Sequence, residues 1–267
     1  FADPQIPIRA HNANYDISVL NQNGIHVTNI QFDTMIAAHL SGRRNYGLKQ
    51  LTLECFEEEM TPITNLIGKG RSQITMADVP IKDAAPYAAA DAYYTEKLYP
   101  LLKAELSEKK ITKLYDEVEL PLVSILIKMQ QNGVSLNIPL LEKMSEMLGN
   151  QLENIESEMF NLIGHEFNLN SPKQLSDILF SELNLPPTRK IQSSHSTDAQ
   201  SLDDLKSKLD RGEANTADPR SYEVLNRVLE YREISKIKST YVDSLPELLN
   251  NQTNRVHTSY RQTGTAT

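Results

Sequence analysis

Cysteine is almost absent from this 267-residue sequence: Cys55 stands alone, which excludes an intramolecular disulfide and argues against a multi-cysteine zinc site. That scarcity fits a reducing compartment, and a cytoplasmic setting is the expectation. Long apolar runs are missing too. No stretch approaches the roughly 20 residues needed to span a bilayer, because the best candidates are broken by Lys128 or by prolines. The opening Phe-Ala-Asp-Pro has no basic region followed by an apolar stretch, so no signal peptide is expected. The lack of an initiator Met points to a start inside a longer protein. Surplus positive charge is the last absence: 27 Lys and Arg against 35 Asp and Glu give a formal charge of −8. This excludes a surface coated in bases but not a local basic footprint for phosphates.

What is present is an ordinary globular composition, 39% hydrophobic and 23% charged, long enough for one large domain or two of usual size. The two halves differ. From about Ile6 to Leu102 short strands alternate with short helices: Ile6–Ala10 reads as a strand, Tyr15–Leu20 as a helix start, Asn23-Gly24 as a turn, and Ile25–Ile30 as a half-buried strand. Asp33 or Thr34 is placed to cap a helix Met35–Leu40. Such alternation predicts a layered α/β domain. The second half is mainly helical. Leu114, Val118, Leu122, Ile125 and Met129 share a face of a helix over Lys109–Gln131. Pro139 opens another to Ile163, Ser171 caps a third over Pro172–Leu183, and a long helix runs from Ser221 to about Leu249 before a strand-like Arg255–Tyr260. Pro186–Ala199 and Asp210–Arg220 read as exposed, mobile loops. The domain break is expected between Lys103 and Lys113.

Two stretches of the first half carry chemistry. His11-Asn12-Ala13-Asn14-Tyr15-Asp16 lies where a strand turns into a helix, and Tyr87-Ala-Ala-Ala-Asp91 puts a phenol and a carboxylate on one helix face. Aspartates are natural Mg²⁺ ligands. Two such ions about 3.5–4 Å apart activate a water and stabilise a phosphodiester's leaving oxygen, with a tyrosine hydroxyl to orient the water. Taken alone, Asp16 is equally well a first-turn helix residue favoured by the dipole, and Tyr87 and Asp91 a surface pair. Gly68-Lys69-Gly70-Arg71 lacks phosphate-loop spacing and reads as an exposed basic turn. His11 and His39 lack zinc-ligand spacing and read as ordinary polar positions. In the second half Arg232 and Lys236, four apart, can reach one groove. Lys238, Ser239, Thr240 and Tyr241 follow with groups suited to phosphate and sugar, although Glu223, Glu230 and Glu233 equally allow a solvated amphipathic helix.

In order and spacing, HNANYD, FDTMIAAHL, IGKGRSQITM and PYAAADAYYT resemble the 3′→5′ proofreading domain of bacterial A-family DNA polymerases. LEYREISKIKSTYVDSLP, RVHTSYRQTGTAT, NLNSPKQLSDILF and STDAQSL are similar to that family's thumb and its entry into the palm. The resemblance covers nearly all of the chain. It implies an α/β RNase H-like exonuclease domain over residues 1–108, a mainly helical thumb over 109–254 and the first palm strand over 255–267. It also implies two divalent ions, Mg²⁺ or Mn²⁺, with Asp16 and Asp91 as ligands, Tyr87 orienting the water and Asn12 meeting DNA. Thumb contacts with primer–template duplex fall on Arg232, Lys236, Lys238, Ser239 and Thr240, with Asn170, Ser171 and Lys173 beside them. The family's early Asp-x-Glu pair has no counterpart, since Asp3 is followed two residues later by Gln5, not Glu, and its palm aspartates are not in the sequence. The chain by itself is therefore expected to bind DNA without catalysis. Deoxynucleoside triphosphates would be substrates only of an intact parent, and a monomer at the bacterial nucleoid, away from membranes, is expected. A free-standing ribonuclease D-like exonuclease would explain residues 1–100 but not the second half, and a non-catalytic DNA-binding module is the remaining rival.

Overall fold

The computed structural model describes residues 1–190, 195–214, 216 and 218–264; residues 191–194 and 215 and 217, within the two expected loops, and 265–267, at the end of the expected palm strand, lie outside the described residues. The chain forms two compact units, one of residues 1–133 with 257–267 and one of residues 134–256. The division falls at Gly133, not between Lys103 and Lys113. The segment after Lys109 goes with the first unit because Tyr115, Val123 and Ile127 are buried in that unit's core.

In the first unit β1 (Ile8–Ala10) pairs in parallel with β2 (Ile30–Asp33), Ile8 opposite Ile30 and Ala10 opposite Asp33. β1 leads into α1 (Ala13–Gln22) and β2 into α2 (Thr34–Leu40). Parallel pairing therefore brings two helix N-termini to the same edge of the sheet. The strand expected over Ile25–Ile30 begins only at Ile30, because β1 offers just three residues for pairing. α3 (Leu48–Phe56) and α4 (Thr64–Ile67) follow, then the 28-residue α5 (Ile81–Glu108). Thr95, Leu98, Leu102 and Leu106 recur every three or four positions and form its buried face. Phe32 meets Tyr99 edge-to-face at 4.9 Å, a geometry the ring quadrupoles favour.

The single helix expected over Lys109–Gln131 is instead α6 (Thr112–Leu114), a π-helical stretch Tyr115–Glu119 and α7 (Leu120–Asn132). Of the residues expected to share a face, Leu114, Val118, Ile125 and Met129 are exposed, while Tyr115, Val123 and Ile127 enter the core. The segment carries two apolar stripes, and periodicity does not say which one the fold uses. Residues from His257 lie along α7: His257 Nδ1 bonds the Gln130 carbonyl at 2.8 Å and Tyr260 N donates to Gln130 Oε1 at 2.8 Å.

In the second unit β3 (Val134–Ser135) pairs antiparallel with β4 (Arg255–Val256), so the expected strand Arg255–Tyr260 is only two residues long. α8 (Ile138–Ile163) starts where Asn137 accepts from Leu140 N and ends at Gly164, whose φ of 96° suits a residue without a Cβ. α9 (Pro172–Ser176), capped by Ser171, runs on as a π-helical stretch Asp177–Glu182. α10 (Ala199–Asp210) is capped by Asp198. α11 (Ser221–Ile237) passes through π-helical Lys238–Val242 to α12 (Ser244–Glu247). Met159, Leu175, Leu179, Leu202, Leu225 and Val228 form the centre of this unit's core.

Candidate functional site

The motifs of the first unit converge. Asp16 lies one turn into α1, and Tyr87 and Asp91 lie four apart on α5; all three line a cavity of about 850 Å³ together with His11, Lys49 and Thr95. Asn12 is the N-cap of α1 with a left-handed backbone, φ 71°, a conformation asparagine tolerates better than most residues. The cavity is lined by Ile8, Arg9 and Ala10 of β1 and by His11 just past that strand's C-terminal end, the end at which parallel α/β sheets commonly hold their ligands.

The electrostatics of the cavity disfavour ionised carboxylates. Partial burial, then the nearby charges of Asp33 and Asp91, push Asp16 up to about 6. Burial also raises Asp91, opposed by the Lys49 ammonium. Carboxylates that repel one another across a cavity are relieved by a bound cation, which reverses the local charge balance. Asp16 and Asp91 have the hard oxygen donors that Mg²⁺ or Mn²⁺ takes. Among the described residues no group of three or more His, Cys, Asp or Glu is placed to hold a metal ion.

Lys49 has no signal in the sequence and is revealed only by tertiary structure. Its Nζ donates to the Thr61 carbonyl at 2.6 Å and to the Tyr87 hydroxyl at 3.3 Å. Because an ammonium has no acceptor, the Tyr87 proton is left to point elsewhere. His11, set aside as an ordinary polar position, forms part of the cavity wall. Its Nδ1 lies 2.8 Å from Thr34 Oγ1, which donates to the Ala10 carbonyl at 3.2 Å. With the Thr34 proton so used, Nδ1 carries the imidazole proton, and burial lowers the His11 pKa to about 4. Asp33, recognised in the sequence only as a cap, is buried and bonds both helix N-termini: Asn12 N (3.2 Å), Ala13 N (2.6 Å), Met35 N (2.8 Å) and Ile36 N (3.2 Å) all donate to its carboxylate. Burial raises its pKa and these four bonds oppose the rise.

In the second unit the basic and polar residues singled out by sequence mostly have partners inside the unit. Arg232 is half-buried and donates to the Thr197 carbonyl, so Arg232 and Lys236 are not an exposed pair; burial lowers Arg232. Lys238 Nζ lies 2.8 Å from both Ser145 Oγ and Asp243 Oδ2. Ser239 donates to the Ser235 carbonyl at 2.7 Å. Asn170 donates to the Tyr231 hydroxyl at 3.0 Å, and Ser171 Oγ accepts from Gln174 N. Lys173, Lys236 and Thr240 are exposed, as are Asn170 and Ser239 despite their internal partners.

Fold and site define a chain of two kinds of module, one an α/β unit whose cavity is lined in part by Asp16, Tyr87 and Asp91, and one mainly helical. The family model described as 3′-5′ exonuclease matches residues 1–107, and that described as DNA polymerase family A matches residues 138–267. The chain is 40% identical over 275 residues to DNA polymerase I of Chloroflexus aurantiacus, covering 100% of this chain and 28% of that protein. It is 35% identical over 269 residues to DNA polymerase I of Treponema pallidum, covering 99% and 25% respectively. Among solved structures, the POL domain of Pol1 from M. smegmatis in complex with DNA primer-template and dNTP matches with a TM-score of 0.73 and 26% identity, over 98% of this chain and 41% of that one. This chain belongs to DNA polymerase family A. It spans about a quarter of the length of these curated relatives, and the polymerase match over its second half disfavours a free-standing ribonuclease D-like exonuclease. No helix among the described residues is long and apolar enough to cross a membrane.

Proposed function

We propose that this chain supplies the 3′→5′ exonuclease-type domain and the thumb of a DNA-directed DNA polymerase acting in replication and repair synthesis. Residues 1–108 are the exonuclease-type domain, of RNase H-like ancestry, 109–254 the thumb and 255–267 the approach to the palm. The compact units differ from these boundaries because packing and functional modules need not coincide. The observation that carries the reading is the convergence of Asp16, Tyr87 and Asp91 on one cavity. Asp16 and Asp91 hold divalent ions there, and bound Mg²⁺ or Mn²⁺ supplies an activated water and charge stabilisation. Tyr87, fixed by Lys49, orients its hydroxyl toward the reacting water, and Asn12 faces the DNA strand.

The second unit meets primer–template duplex without reading sequence. Lys236, Thr240 and Lys173 provide the exposed contacts. Arg232, Lys238, Ser239, Asn170 and Ser171 shape the surface and reach phosphate where their internal partners release them. The intact polymerase uses deoxynucleoside triphosphates and works as a monomer at the nucleoid. The 267 residues alone bind DNA without hydrolysing it, since among the described residues no group of three or more His, Cys, Asp or Glu is placed to hold a metal ion. Incubation of the purified chain with a labelled single-stranded oligonucleotide and Mg²⁺ tests this: salt-sensitive binding and an uncut strand are expected, whereas stepwise trimming from the 3′ end would overturn it.

A further inference from the structure

Asp33 has more hydrogen bonds than a cap requires. Capping α2 needs only the acceptance from Met35 N and Ile36 N, and Oδ1 makes both, at 2.8 and 3.2 Å. Yet the same carboxylate reaches twenty residues back along the chain, where Oδ2 accepts from Ala13 N at 2.6 Å and Oδ1 from Asn12 N at 3.2 Å. These two amides form the left-handed turn and first residue of α1, three residues before Asp16. We propose that Asp33 is a positioning residue of the carboxylate site, fastening the first turn of α1 to the end of β2 so that Asp16 faces Asp91 across the cavity.

Three further observations support this role over a ligand role. The carboxylate is 1% exposed and is occupied by four N–H groups, which leaves it poorly placed to bind an ion. The N-termini of α1 and α2 both point at it, so its charge is matched by two helix dipoles without a counter-cation. Asp33 is itself held, because its backbone N–H donates to the buried Tyr115 hydroxyl at 2.6 Å. The neighbouring Thr34 repeats the tie between strands and helices by bonding both His11 and the Ala10 carbonyl. Groups that orient a metal ligand without touching the metal commonly matter nearly as much as the ligand.

The proposal rests on the reading of Asp16 as a cation ligand, and its test separates the two. Asp33→Asn keeps an oxygen for Met35, Ile36 and Asn12 but sets an amide donor against Ala13 N–H. Asp33→Ser keeps a good cap for α2 and is too short to reach α1, so it serves if the first variant does not fold. In the full chain, amide hydrogen exchange at Ala13 should quicken about tenfold, one hydrogen bond's worth, while Met35 and Ile36 stay within roughly twofold. Mn²⁺ affinity, read from paramagnetic broadening of amides near Asp16 and Asp91, should fall about tenfold or more. Unchanged exchange at Ala13, or unchanged Mn²⁺ affinity in a folded variant, would overturn the proposal. So would equal loss of protection in α1 and α2, which marks a mere structural cap. Failure of the unsubstituted chain to bind Mn²⁺ would sink the cation reading itself; the exchange comparison then decides the positioning role alone.

Discussion

The two units handle their charged residues in opposite ways. In the first, Asp16 and Asp91 line an open cavity, where burial and then the charges of Asp33 and Asp91 raise Asp16. In the second, Arg232, Lys238 and Arg227 have their demands met inside the unit, by Thr197, by Asp243 and by Glu158 and Glu230 respectively. Unsatisfied charge held by rigid elements marks a chemical site, whereas a basic helix with internal partners is first of all architecture. The first unit's motif therefore comes together on one cavity, whereas of the second unit's basic run Lys236 stays exposed.

Breaking the internal partnerships should give the largest effects. Tyr115→Phe leaves the buried Asp33 N–H without its acceptor and should destabilise the first unit by about 2 kcal/mol in urea melts. Arg232→Met strands the Thr197 carbonyl and should cost the second unit about 1–2 kcal/mol. If its stability is unchanged while DNA affinity drops, Arg232 is a contact and not a strut.

The cavity should behave in the reverse sense. The pKa of Asp16 in the folded chain, about 6, lies above the roughly 3.9 of an unfolded aspartate. The folded state therefore holds the proton more tightly, and stability declines as pH rises from about 4 through about 6. Without divalent ions, Asp16→Asn should raise stability at pH 7.5. Asp16 stands partly in solvent, so screening limits the gain to about 1 kcal/mol. The difference should vanish below about pH 3, where Asp16 is protonated in the folded and the unfolded chain alike, and denaturation curves across this range check it. The smallest expected effect is Lys236→Ala: stability within about 0.5 kcal/mol of the parent, but a log–log salt slope for duplex binding shallower by about 1.

Much of this was legible in the sequence where local chemistry decides structure. The four-residue spacing of Tyr87 and Asp91 sets their common face, Pro139 and Ser171 mark the starts of their helices, and Asn12 and Asp16 sit at a strand-to-helix junction. Illegible were features set by remote partners. Lys49 meets Tyr87 across 38 positions and Asp33 meets Ala13 across 20, with no local pattern announcing either. Which stripe of α7 and its π-helical lead-in the core takes was not legible, because Leu114, Val118, Ile125 and Met129 are as apolar as the residues the core uses. Arg232 looked like a surface cation because the Thr197 carbonyl it bonds lies 35 residues away.

The central claim, that the first unit's cavity is built for a divalent cation, is tested most directly by Mn²⁺ titration of the full chain followed by electron paramagnetic resonance. The unsubstituted chain should bind Mn²⁺ with an affinity that rises as pH passes through about 6, and the Asp16→Asn, Asp91→Asn double variant should lose that binding. Equal binding by both chains, or no dependence on pH between 5 and 7.5 (a range of about one unit below to one and a half above that midpoint), would contradict it.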